Sequence, residues 1–222
     1  MSYLSYHEGT TPVGGGAFQS LTDALDPAPA IVPKTHFVEW FSGDALDSIW
    51  TFDDITGTNS GAMVDGVDSG YAITTATTSF ANAQIDFNNI NHYDESASVC
   101  IGVVKNDSTT SNELSCGLAS TETNQLDYAY YRNASGTTNL HIHTADSSSA
   151  ASVESSIARD TNWHKTQVTL QASSAILHID DVLEAIATSN LPTIPQQPIF
   201  GQRSRTTAAK IGYIRYLEVY SA

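Results

Sequence analysis

Apolar residues recur at every second position through much of this 222-residue chain. Val168 and Leu170 alternate with Gln167 and Thr169, Leu177 and Ile179 flank His178, and Ile214 is followed by Arg215 and Tyr216. A period of two gives a strand one face for a core and one for water. Val168, Leu170, Leu177, Ile179 and Ile214 are therefore expected to face the space between two sheets, with Trp163 at a strand entry. Asp180-Asp181 falls between two such runs, where a tight hairpin turn is expected. The pattern starts at residues 37–41 and continues through 45–52, where Asp44 suits the cap of a short helical turn. Residues 61–64 and 70–75 read as a hairpin about Asp65-Gly66, residues 79–87 as a further strand, and 126–132 with 140–143 as another pair. Residues 147–156, rich in serine and alanine, read as exposed or edge-like. About a dozen short strands at roughly ten-residue spacing predict an all-β fold, a two-sheet antiparallel jelly-roll sandwich over residues 37–222.

Residues 1–36 break the pattern. Gly14-Gly15-Gly16 and Pro12, Pro27, Pro29 and Pro33 mark an extended N-terminal arm or linker rather than part of a sheet. Residues 18–25 suit one or two helical turns with Ser20 as N-cap. Tyr3, Leu4, Tyr6, Phe18, Leu21 and Leu25, with Ile31 and Val32 beyond them, are spaced as anchors along an extended path. They are the expected interface with sister copies in a homo-oligomer or with a larger protein assembly.

Charge narrows the partners. Nine Lys and Arg against 24 Asp and Glu leave a net charge of −15, which repels phosphate backbones and excludes nucleic acid as an expected partner. Arg203, Arg205, Lys210 and Arg215 lie close together near the C-terminus, either as a contact patch or as a solvated strand face. No apolar run reaches the length of a membrane span and the start lacks a signal-peptide pattern, so no membrane partner is expected. Two cysteines are too few for a disulfide framework. A hairpin centred on Ser108 would set Cys100 opposite Cys116, as a cross-strand disulfide or as two reduced, buried thiols.

The wording of the last quarter carries a resemblance. Trp163-His164 opens a strand, Leu177-His178-Ile179-Asp180 precedes a turn, and Gly212-Tyr213-Ile214 leads through Leu217 to Val219-Tyr220. This resembles the laminin-G-like branch of the concanavalin A-like sandwich family, with Asp181 where the family's turn carries glycine. Asp44 to Trp50 is similar to the entry into the first strands of such modules. The resemblance implies the same jelly-roll sandwich.

The candidate chemistry is sparse. A glycosidase needs two carboxylates flanking the sugar bond, and glucanases of the resembling superfamily carry them as Glu-x-Asp-x-x-Glu on one strand. No such run occurs, and Glu95, Glu113, Glu122, Glu154, Glu184 and Glu218 are scattered singly. His141 and His143 share one strand face, with His164 and His178 on neighbouring candidate strands. They suit either a transition metal or a wet face. Asp53, Asp54, Asp65, Asp68 and Asp94 are candidate calcium oxygens or simple turn formers, and no cofactor is required. Tyr128 and Tyr130 share a face and are candidate glycan contacts, Tyr131 pointing to the other.

The reading favoured by sequence is a non-enzymatic structural or interaction protein, a virion component decorating a phage capsid or forming an appendage. Its expected localisation is the virion and its expected partners are itself and a capsid. The alternative is a carbohydrate-binding module for receptor or cell-surface glycans. An enzyme on the same fold is a third reading.

Overall fold

The computed structural model describes residues 36–87, 90–120, 127–134, 136–147 and 149–221. The expected arm, with Tyr3, Leu4, Tyr6, Phe18, Leu21 and Leu25, lies outside the described residues. Within them are fifteen strands and no helix. They are β1 (His36–Trp40), β2 (Thr51–Thr56), β3 (Ser60–Val64), β4 (Gly70–Thr74), β5 (Asn82–Asp86), β6 (Ala97–Asn106), β7 (Asn112–Ala119) and β8 (Asp127–Asn133). β9 (Asn139–Asp146), β10 (Ala150–Ala158), β11 (His164–Gln171), β12 (Ser174–Ile179), β13 (Val182–Ala187), β14 (Gln197–Ser204) and β15 (Ile211–Ser221) complete the series.

The strands form two antiparallel sheets. One runs β13-β12-β11-β6-β15-β4-β3, with β1 also on β15, and the other runs β10-β9-β8-β7-β14-β5-β2. Consecutive strands often cross from one sheet to the other, which makes the architecture a two-sheet jelly-roll sandwich. The expected hairpins β3–β4, β8–β9 and β12–β13 are all paired. The serine-rich stretch becomes β10, an edge strand. Residues 42–50 form loop and turns rather than a helical turn at Asp44.

The core lies where the alternation placed it. Val168, Leu170, Leu177, Ile179 and Ile214 are 0–1% exposed and belong to one apolar cluster between the sheets. Truncating Leu177 or Ile214 to alanine should cost about 2–5 kcal/mol in urea unfolding, and a loss below about 0.5 kcal/mol at both would contradict this packing.

The cysteine geometry is a correction. β6 and β7 are consecutive but lie in different sheets, so they form no common ladder. Cys100 and Cys116 instead meet across the core as buried, free thiols. The hydrogen bond with Cys116, and then burial, push the Cys100 thiol well above its ordinary pKa.

The β12–β13 turn shows why aspartate replaces glycine. Asp180 and Asp181 both take left-handed backbone, φ 52° and 68°. The Asp180 carboxylate compensates: Oδ1 accepts the Lys165 backbone N–H at 2.9 Å and Oδ2 meets His164 Nδ1 at 2.8 Å. His164 Nε2 meets Asp160 at 3.0 Å, and Lys165 Nζ donates to Asp181 at 2.5 Å. Side-chain bonds to the opposing strand hold a conformation that glycine would enter more freely.

Candidate functional site

The outer face of the seven-stranded sheet, pointing away from the core, gathers a connected set of polar and aromatic side chains. Register puts Glu113 of β7 opposite Arg203 of β14, which in turn faces Asn82 of β5. On the other side of β7, Tyr128, Tyr130 and Arg132 of β8 point the same way, opposite His141 and His143 of β9. Tyr131 points into the core, as alternation requires.

Glu113 is the hub. Only 6% exposed, it meets Arg132 Nη2 at 2.9 Å, and its Oε1 accepts from Arg205 Nε at 2.8 Å and Nη2 at 2.5 Å. Arg203 Nη1 stands farther off, at 3.8 Å. Burial alone would raise the Glu113 pKa, but Arg132 and Arg205 outweigh it and hold the carboxyl below its ordinary range. Arg132 Nη1 also donates to His143 Nδ1 at 2.8 Å. A guanidinium has no lone pair to offer, so Nδ1 is the acceptor and the imidazole is neutral.

Burial, then Arg132, lowers the His141 pKa to about 4 and the His143 pKa to about 3. The two rings lie 6.1 Å apart. His164 and His178 belong to the other sheet, so the four histidines do not converge. Among the described residues no group of three or more His, Cys, Asp or Glu is placed to hold a metal ion. Three of the candidate calcium aspartates are engaged by neighbouring side chains and backbone. Asp54 accepts from Asn59, Asp68 pairs with Lys105 at 2.7 Å, and Asp94 accepts the Ser96 N–H and hydroxyl at 2.7 Å.

Tyr128 and Tyr130 stack on each other, centroids 4.6 Å apart, with His143 at 5.1 and 5.7 Å. With Ala119, Ala145 and Ile199 they form a second apolar cluster, on this outer face. At 8% and 7% exposure the two rings make a floor rather than a projecting platform.

The projecting aromatic is Phe80, which sequence reading passed over. It is 48% exposed and sits in the turn closed by Ala81 N–H on Thr78 C=O at 3.2 Å. Its φ is +64°, a conformation costly for a bulky side chain and a frequent mark of functional positions. The Arg203 and Arg205 guanidinium carbons each lie 5.4 Å from its ring centroid. The backbone fixes this end of the face through Ser204 N–H on Ala81 C=O at 2.8 Å and Arg205 N–H on Ser111 C=O at 2.7 Å. A row therefore runs from Phe80 through Arg203, Arg205, Glu113 and Arg132 to His143 and the tyrosine pair.

The C-terminal basic cluster divides. Arg203 and Arg205 join this row, while Lys210 reaches Ser108 and Arg215 lies over Trp163 at 3.6 Å. A separate cleft of about 240 Å³ is lined by Glu39, Trp40, Leu46, Asp47 and Met63 among others.

No protein-family model matches the chain, and no curated protein matches its sequence. Solved structures do match its fold. Crh5 transglycosylase in complex with NAG aligns with TM-score 0.62 and 13% identity, over 84% of each chain. The β-glucanase of Bacillus licheniformis aligns with TM-score 0.61 and 11% identity, over 84% of this chain and 98% of that one. The carbohydrate recognition domain of Emp47p aligns with TM-score 0.58 and 9% identity, over 84% and 95%. Identities this low establish the shared jelly-roll sandwich of the concanavalin A-like kind.

These neighbours correct the reading favoured by sequence. A virion component with a capsid partner finds no support among them, and the exclusion of enzymes falls too, since a transglycosylase and glucanases share this fold. The carbohydrate alternative stands closer. Among the described residues no helix is long and apolar enough to cross a membrane.

Proposed function

We propose that the chain recognises carbohydrate along the outer face of the seven-stranded sheet. The observation that carries this is Phe80: an exposed ring, held in a strained turn, at the end of a row of charged and aromatic groups. Sugar recognition needs an apolar ring face for the pyranose C–H surface and fixed polar groups for the hydroxyls. Phe80 offers the first, and Glu113, Arg205 and Arg132 offer the second in positions set by mutual ion pairs. The shared fold with glucanases, a transglycosylase and a carbohydrate recognition domain supports the same class of ligand.

The test is calorimetric titration against a panel of soluble oligosaccharides, comparing wild type with Phe80→Gly. Glycine accepts φ +64° without strain, so the variant should keep or raise its melting temperature while binding weakens about tenfold or more. Unchanged affinity in the variant, or no binding across the panel, would refute the proposal. Reducing ends released in the same samples decide whether the bound chain is also cut.

A further inference from the structure

The arginines at this face are not balanced by the carboxylate among them. Arg132, Arg203 and Arg205 converge on Glu113, three positive charges on one negative, in a chain with nine Lys and Arg and a net charge of −15. A protein this acidic that concentrates three of its few cations at one spot raises the local potential there above that of its acidic surface. Arg132 and Arg205 take up the Glu113 oxygens at 2.5–2.9 Å. Arg203 is left at 3.8 Å, beyond hydrogen-bond reach.

Among the described residues the buried Nε of Arg203 has no hydrogen-bond partner. On the neighbouring β5 the residue opposite Arg203 is the uncharged Asn82, while that strand's carboxylate, Asp86, stands opposite Ile199 and accepts from Gln84 Nε2 at 2.7 Å. Burial, then the like charges of Arg205 and Arg132, depress the Arg203 pKa, with Glu113 opposing only in part. Yet the Arg203 side chain is 37% exposed and lies against the Phe80 ring. The guanidinium thus presents a donor edge, under-compensated in charge, beside the ring on which a sugar would stack.

We infer that the glycan is anionic, with a carboxylate or sulfate substituent received by Arg203 while its ring rests on Phe80. This builds on the carbohydrate proposal above and narrows it to acidic polysaccharides. A planar guanidinium takes either anion through paired N–H donors, so uronates and sulfate esters share the chemistry. The acidic surface elsewhere repels such chains, leaving this row as the place where they are attracted.

The experiment titrates the full chain with a uronate oligosaccharide and a sulfated one, each beside its neutral counterpart (carboxyl-reduced or desulfated) on the same backbone. At least one charged form should bind tenfold or more tightly than its counterpart, and the stronger of the two identifies the anion. That advantage should shrink as salt rises from 0.05 to 0.5 M, roughly as Debye screening requires. It should vanish in Arg203→Gln, whose fold is checked by melting temperature, while Phe80→Gly weakens charged and neutral forms alike. Equal affinity for charged and neutral forms would overturn the anionic assignment and leave carbohydrate recognition standing. Binding to none of the four would overturn both. The salt series on wild type tests the assignment even if Arg203→Gln does not fold.

Discussion

Replacing Glu113 with alanine should lower the unfolding free energy by about 3–5 kcal/mol, the range for removing one partner of a buried ion pair. The cost comes from what remains rather than from what is lost. Arg132 is only 17% exposed, and it would face Arg203 and Arg205 across the vacated site with no carboxylate between them. In the intact protein those arginines hold the Glu113 pKa down against its own burial, so the pairing outweighs desolvation at this position. Removing Arg203 instead should cost far less, since its pair with Glu113 is long, at 3.8 Å, and the side chain is more than a third exposed. Urea unfolding of Glu113→Ala and Arg203→Gln side by side measures the asymmetry. If Glu113→Ala lost less than about 1 kcal/mol, the guanidiniums would be solvated individually and the row would not be a built cluster.

The sandwich was legible because its signal is local. Leu177 and Ile179 alternate with polar neighbours whatever their partners are, so the inner face could be read from the spacing alone. The same holds for Tyr128 and Tyr130 against Tyr131, and for His141 with His143. Which strands pair is a different kind of information. Cys100 and Cys116 flank a short polar loop, as in a hairpin, yet β6 and β7 separate into different sheets because β6 completes its ladders with the distant β11 and β15, and β7 with the adjoining β8 and the distant β14. The charged row depends on that long-range pairing: Glu113, Arg132 and Arg203 come from three strands and become neighbours only through register. Arg203 and Arg205 did register in sequence as part of a basic cluster, but nothing local separated them from Lys210 and Arg215, which the fold sends elsewhere. Phe80 left no trace at all, since its role rests on a backbone angle and on arginines more than 120 residues away.

Stability should peak near neutral pH, with an acid limb set by His141 and His143 and an alkaline limb set by His164. In the folded chain the first two titrate at about 4 and about 3, whereas an unfolded histidine titrates near 6.5. As pH falls below about 6.5 the unfolded state takes up protons that the folded state refuses, so stability drops by up to about 1.4 kcal/mol per pH unit for each ring. The geometry explains the refusal: a protonated His143 would turn its Nδ1 acceptor into a cation against the Arg132 donor, 2.8 Å away. Glu113, its pKa also lowered, adds to the loss at still lower pH. His164 works in the opposite direction. Burial opposes its charge, but Asp180 and Asp160 raise its pKa above the ordinary value. Its contribution is complete below about pH 6.5 and disappears as pH rises through the elevated folded value. Urea unfolding across pH 4–9 for wild type, the double variant His141→Gln/His143→Gln and His164→Gln separates the limbs. The double variant should flatten the acid side and leave the alkaline decline in place. The single variant should remove the alkaline decline and leave the acid side steep. An acid limb equally steep in the double variant would show that the imidazoles on the outer face are not held neutral by burial and Arg132, and that carboxylates elsewhere govern acid unfolding.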